Sequence, residues 1–569
     1  MLGSTHGTFT TGPRGRASAL RGRDAAAGGS GERDVGGRPL SVPAPDPQGL
    51  ARPGVGVFGT PRRDLDGPGV AIVSRCAELT AAAGSVQELG VRVADRVTVG
   101  PDGTVGDFVA YFAERADVGV VALHLEGVRE GRGLLLALDH AARRGVPVVA
   151  LTAAGDGADP VMEAALRQVG AVLVDAPDRL LDTATLFARA PRQTGGPAGG
   201  DRVAVLPTRA GRHLAGLAAA AGLHPVLQDL DAALADPAVA VAVCPVPSAD
   251  PPATDILARD LVAAAERADR PVCVVWGSPP GTEPAYRDTL LGSSRAVTFR
   301  TYGNCVAAVG AYLAHRRFTA PYRSPFDEAP RTPSPSLRKA RLLLESAAPH
   351  DRRLSEHAAK QILRTYGVRV PREQLVTSAA AAVRAAGQVG YPVVLKASAP
   401  RLAQRAERGL LRVGVTSAGQ VREAYREIAA AARREGVALD GVLVAQLVAR
   451  GVELTASVRH DERFGPVVSV APGGRLAALG GAVVRVPPFG EAAARALVDA
   501  LPCRALLGDV DALVEVLLRI QRLALELGDD LVELRVDPLV VGERGRGAVA
   551  LDAVAVFATP PGPGRAPAP

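Results

Sequence analysis

The sequence predicts an α/β protein of several domains, built on open parallel sheets with helices on their faces. Three observations lead there. The chain has 569 residues, and a single core stops growing near ~250–300 residues. Apolar residues make up 47% and charged residues 22%, a balance that can fill sizeable cores in a globular chain. From Gly69 onward, short apolar runs alternate with helix-period stretches through short turns. Parallel strands need crossover connections, so strand–helix alternation is their sequence signature.

Residues 1–52 are rich in Gly, Arg, Ser, Ala and Pro without periodicity and are expected to form a disordered arm. They hold no apolar run of the kind a secretory leader needs, and Glu32-Arg33-Asp34 interrupts a transit-peptide composition. The first domain is expected at residues 53–195. Val70–Val73, Val97–Val99, Val118–Leu125 and Val146–Leu151 read as strands, with helices at Ala77–Glu88, Phe108–Ala113 and Gly133–Arg144. Ligands of such sheets bind beyond the carboxyl ends of the strands. Glu126 stands at such an end, after Val120–Leu125 and before Gly127, as either a functional acid or an ordinary strand-end carboxylate. His124 is expected to be a strand histidine satisfied by backbone.

The Gly-rich break Gly195–Gly200 leads to a second domain at 200–319, with strands at Arg202–Leu206, Val239–Pro245 and Pro271–Trp276 and a last helix at Val306–Arg316. Residues 320–350 are expected to be a linker, whose Pro/Ser-rich part to Pro335 favours an extended chain. A third domain follows at 351–557, then a Pro-rich tail at 558–569.

The net charge of +7 comes almost wholly from arginine. Aromatics are only 4% and the arginines are scattered, which argues against nucleic acid as a partner. The five cysteines lie far apart with no CxxC pair, excluding a zinc or disulfide framework and making a reducing cytoplasm the default. No apolar run reaches the length of a membrane span.

Lysine occurs only at positions 339, 360 and 396. Lys396 ends the buried strand-like run of Gly390-Tyr391-Pro392-Val393-Val394-Leu395-Lys396. A compact ammonium on a flexible stem at the tip of a buried strand suits phosphate. An exposed lysine with no function is the other reading. Around it, in order, stand Leu354–Pro371, Gly441–Gln446, Gly451–Leu454, Phe464–Val468 and Glu533–Leu539. In that order and spacing they resemble the ATP-grasp domain of the NDP-forming acyl-CoA synthetases, the acetate–CoA ligase and succinyl-CoA synthetase group, over Ser355 to about Val556. Gly69–Ser74 and Leu125–Val128 resemble that family's first flavodoxin-like domain, and residues 200–319 its second.

The resemblance implies two flavodoxin-like domains followed by an ATP-grasp domain, with ATP or ADP and magnesium as cofactors. It implies phosphate contacts at Lys360, Lys396 and Arg405, a nucleotide-site role for Glu453, Gly473 and Gly474, and magnesium ligands at Asp537 and Asp552. Glu126 would be the glutamate that orients a phosphate-carrying histidine. Several positions depart from the family's pattern. Ala150–Gly155, where that histidine is expected, has none. Arg535 stands where the family has an aspartate, and Arg475–Arg485, after the glycine pair, holds no acid. The family's glycine-rich turn is replaced by Pro207-Thr208-Arg209-Ala210-Gly211. No Rossmann-type domain is expected ahead of Gly69, which leaves CoA without its usual binding domain. Two functions are therefore expected as alternatives. One is an ATP-binding family member with impaired or altered ligase activity. The other is a non-catalytic scaffold, paired with an intact acyl-CoA synthetase subunit or assembled as a homo-oligomer.

Overall fold

The structure is a computed structural model that describes residues 56–57, 67–76, 90–100, 103–153, 159–191, 200–246, 253–277, 285–327, 332–347, 352–399, 402 and 408–558. The expected arm, the helix at 77–88, Arg405 and the tail beyond 558 lie outside these residues. The chain divides into two compact units, Met1–Ser324 and Pro325–Pro569. Among the described residues no helix is long and apolar enough to cross a membrane.

The first unit holds two sheets. The strands of one are β1 (Gly56–Val57), β2 (Gly69–Ser74), β3 (Val93–Thr98), β4 (Val118–Leu125), β5 (Val148–Thr152) and β6 (Val172–Val174), in the order β1-β3-β2-β4-β5-β6. All pairings are parallel except that of the two-residue edge strand β1. Every residue of β2 is buried, as is most of β4, because a central parallel strand has helices on both faces and must be apolar throughout. The chain steps from β2 to β3 on one side and returns to β4 on the other. That reversal opens a crevice at the carboxyl ends of β2 and β4.

The second sheet comprises β7 (Arg202–Val205), β8 (His224–Leu227), β9 (Val239–Val246), β10 (Val272–Trp276) and β11 (Ala296–Phe299), all parallel in the order β11-β10-β9-β7-β8. The two edge strands, β8 and β11, are four residues each, too short to stand out by apolar period. One core joins the sheets. Helices Pro177–Arg189 and Tyr302–Thr319 pack there, with the Phe187 and Tyr312 rings 5.5 Å apart. Arg189 is fully buried between them, donating to the carbonyls of Gly90, at 2.6 Å, and Ala296. Burial, which penalises the charged form, pulls its pKa down to about 10.

The second unit begins with helix Pro335–Ala347, inside the stretch expected as a linker. Leu337 and Ala340 bury its inner face in the core. A four-stranded antiparallel sheet follows: β12 (Glu373–Val376), β13 (Val393–Ser398), β14 (Leu411–Val415) and β15 (Gly441–Gln446), in the order β12-β15-β13-β14. Helices Ala379–Val389 and Ala418–Arg434 cover it.

The last sheet is β16 (Val452–Asp461), β17 (Gly465–Pro472), β18 (Val483–Arg485), β19 (Leu531–Val541) and β20 (Ala548–Ala550), in the order β18-β17-β16-β19-β20, with β21 (Ala553–Phe557) also on β19. Its period-two alternation is clear. Leu454, Ala456 and Val458 are fully buried under helices Glu491–Asp499 and Val510–Leu527. Glu453, Thr455 and Ser457 take the opposite, polar face.

Candidate functional site

Lys396 is the fourth residue of β13, in the middle of the four-stranded sheet of the second unit. Its ammonium donates to Glu356 Oε1 at 2.8 Å and to the Leu551 carbonyl at 2.9 Å. Glu356 opens the helix Glu356–Thr365, and Lys360 lies one turn on, the i,i+4 spacing that lets the two side chains meet. Lys360 Nζ donates to Glu356 Oε1 at 2.5 Å, to the Leu551 carbonyl at 3.3 Å and to Glu373 Oε2. Glu373, on β12, also faces His357 Nδ1 at 3.3 Å, and His357 Nε2 lies 3.3 Å from Gln361. One carboxylate oxygen and one backbone carbonyl are therefore shared by two ammonium groups.

Burial separates the two lysines. The Lys360 side chain is 0% exposed and Lys396 is 14% exposed, while Glu356 and Glu373 are at 1% and 0%. Charges this deep persist only when paired and hydrogen-bonded. The three protons of the Lys360 ammonium match its three acceptors, so none faces a ligand. It stands behind Lys396 rather than beside it. Lys396, 14% exposed, has two acceptors for its three protons. Sequence reasoning did not single out Glu356, Glu373 or His357. The Glu356–Lys360 spacing was the one available signal, since Glu373 arrives from another strand.

The acids near the chain's end lie next to this cluster. Asp537 N donates to the Asp552 carbonyl at 3.1 Å, and Leu551 N to the Pro538 carbonyl at 3.0 Å. The carbonyl that holds both lysines thus belongs to the segment bonded to Asp537. Asp537 Oδ2, however, accepts from Arg535 Nη2 at 2.6 Å. Magnesium takes near-octahedral oxygen coordination and is held by one or two carboxylates together with phosphates and waters. Among the described residues no group of three or more His, Cys, Asp or Glu side chains converges as metal ligands. A guanidinium on Asp537 therefore opposes a magnesium ion at that carboxylate.

Gly473 and Gly474 follow β17 and lie against Glu453 on β16. Gly473 N donates to the Glu453 carbonyl at 2.9 Å. A Cβ on Gly474, whose φ is +50°, would sit 1.8 Å from Glu453 Oε2, and one on Gly473 would meet Leu454 backbone at 2.8 Å. Close packing on the β16 backbone favours glycine at 473, and the positive φ favours it at 474. The turn that follows, Gly474–Leu479, is short and exposed, with Leu479 at its surface.

In the first unit, Glu126 is exposed just past β4. His124 is not satisfied by backbone as expected: its Nδ1 lies 3.1 Å from Ser74 Oγ. The parallel register pairs Ser74 with His124 across β2 and β4, bringing both side chains to the carboxyl ends of those strands. Ser74 Oγ also accepts from Cys76 N at 2.9 Å. His140 is on a helix and pairs with Glu114 at 2.8 Å. Thr152 ends β5, and of the segment that carries no histidine, residues 154–155 lie outside those described. After β7, Thr208 caps helix Arg209–Ala220 by accepting from Gly211 N at 2.9 Å, in place of a glycine-rich turn.

Comparison with known proteins finds two domain families. Residues 346–556 match the ATP-grasp domain, and residues 67–187 match the succinyl-CoA ligase like flavodoxin domain. The chain is 29% identical over 209 residues to the beta subunit of acetate–CoA ligase [ADP-forming] II of Pyrococcus furiosus, covering 35% of this chain and 89% of that subunit. It is 23% identical over 504 residues to the 4-hydroxybutyrate–CoA ligase [ADP-forming] of Nitrosopumilus maritimus, covering 78% of this chain and 71% of that enzyme. Among solved structures, an acetyl-coenzyme A synthetase of Ca. Korarchaeum cryptofilum, in complex with coenzyme A and Ca-AMPCP, is 28% identical with a TM-score of 0.37, over 39% of this chain and 99% of that one.

Proposed function

We propose, for a chain that carries the ATP-grasp domain and the succinyl-CoA-ligase-like flavodoxin domain of the NDP-forming acyl-CoA synthetases, that it binds ATP or ADP through Lys396 as a member of that family with altered or impaired acid–CoA ligase activity. The observation that carries this reading is Lys396, anchored to Glu356 and to the Leu551 carbonyl, with one proton more than these two acceptors take and a side chain 14% exposed. An ammonium held this way has lost its rotational freedom before the phosphate arrives, which favours binding. Glu453, Gly473 and Gly474 would line the nucleotide's approach, and Glu126 would act in the first unit. The free state of all five cysteines supports a reducing, cytoplasmic setting.

Calorimetric titration of the purified chain with ADP and ATP tests the reading. Lys396→Ala should weaken binding by about 1.5–3 kcal/mol, the scale of a charge-assisted contact. Equal affinities in wild type and variant would remove Lys396 from the site.

Ligase activity is proposed to be impaired because Ala150–Gly155 offers no histidine to carry phosphate. Incubation with radiolabelled ATP should leave no acid-labile phosphohistidine on this chain. Label on His124 or His140 would restore the full enzyme reading.

A second reading, a non-catalytic chain that supports an intact synthetase subunit, is favoured by the acid-free stretch Arg475–Arg485 and by likeness to a protein named as a beta subunit. Adding such a subunit and assaying acyl-CoA formation separates the two. Stimulation that survives Lys396→Ala supports the scaffold, and stimulation lost with it supports shared catalysis.

A further inference from the structure

Magnesium normally bridges nucleotide phosphates to carboxylates, and here one of the two expected carboxylates, Asp537, is already engaged. Arg535 and Asp537 lie two apart on β19, so both side chains leave the same face of the sheet. They are joined at 2.6 Å, with Arg535 54% and Asp537 34% exposed. A metal at Asp537 would have to share the carboxylate with a guanidinium. The stretch Leu476–Val484, which follows the glycine pair, has no acid to offer in compensation.

Backbone bonds tie the strand that carries this pair to the segment that holds the candidate phosphate contact. Asp537 N is bonded to the Asp552 carbonyl, and the neighbouring Leu551 carbonyl is bonded to Lys396. A guanidinium presents a planar fork of donors that matches phosphate oxygens, and its charge does not titrate under ordinary conditions. Tethered by Asp537 yet half exposed, it is oriented without being buried.

We propose that Arg535, held by Asp537, is the built-in counter-ion for the nucleotide's phosphates, and that this chain binds ADP or ATP without a divalent cation. The inference rests on the nucleotide reading above, and its test is chosen so that the two fail separately.

The full chain is titrated with ADP by calorimetry, once in EDTA and once in excess magnesium. Wild type should bind at least as tightly in EDTA as in excess magnesium, which competes for the free nucleotide. Arg535→Gln should lose ~10-fold or more in EDTA, the loss of one charged phosphate contact. Arg535→Asp should bind poorly in EDTA and recover in magnesium, and should bind Mn²⁺ in the presence of ADP by electron paramagnetic resonance where wild type does not. Circular dichroism melts of each variant check that it is folded. Wild-type binding that requires magnesium, or an Arg535→Gln variant that binds like wild type in EDTA, would overturn the inference and leave the nucleotide reading standing. Absence of ADP binding in both buffers would remove both.

Discussion

Glu356 Oε1 is one atom serving two lysines, and the consequences of changing either lysine should differ. Lys360 has no exposure and both of its carboxylate partners are buried. Lys360→Met would leave Glu373 without its cation and is expected to destabilise the second unit by about 3–5 kcal/mol, the cost of breaking a buried pair from one side. Its effect on nucleotide affinity should be smaller than that of Lys396→Ala. Lys396→Ala should cost less stability, because Glu356 keeps Lys360 as a partner. Urea denaturation of both variants, alongside ADP titration, checks the split. Two variants with matching losses in both measurements would mean that the lysines act as one unit. Scarcity pointed to these positions, since an arginine-rich chain keeps lysine at only three places. The division of labour was not legible, because Glu373 and Leu551 reach the site through tertiary structure.

At the scale of elements, the glycine pair after β17 has a local cause alongside its proposed role. Gly474→Ala combines a positive φ of +50° with a clash against Glu453 Oε2, and should destabilise by about 1–3 kcal/mol. Glu453→Ala removes the clash but not the φ penalty, so in a double-mutant cycle it should recover part of the loss. Additive losses would mean that Glu453 moves aside freely. The strands that sequence revealed best were β2 and β4, apolar along their length because both faces are covered. Helix Pro335–Ala347 was missed for a reason visible in hindsight. Proline is accepted at the first position of a helix, and Leu337, Ala340 and Leu344 keep helical spacing behind it. Composition suggested a linker where position and period pointed to a helix start.

The whole molecule divides into two units, and the second holds the helix Pro335–Ala347, both sheets and the lysine cluster, on two hydrophobic cores. A fragment spanning 332–558 should therefore fold alone, with a cooperative thermal transition by circular dichroism and the ADP affinity of the full chain. A fragment beginning at 352 should be less stable, since it exposes the core positions that Leu337 and Ala340 cover. Equal melting temperatures for the two fragments would show that the helix contributes nothing. Order and type of the main domains were legible from strand–helix alternation and spaced motifs. The unit boundary was harder, because the connecting composition and a packed helix overlap there.

The Leu551 carbonyl accepts from both lysines, while the Leu551 side chain makes none of these bonds. Every amino acid supplies the same carbonyl. The anchor of Lys396 is thus half written in a residue's identity, at Glu356, and half in the chain's path. In a saturation library selected for ADP binding, position 356 should accept almost nothing but glutamate. Position 551 should tolerate wide variety and reject proline, which has no N–H to donate to the Pro538 carbonyl. Such a position carries function without leaving a mark on sequence comparison, and drift can pass through it freely while the site persists.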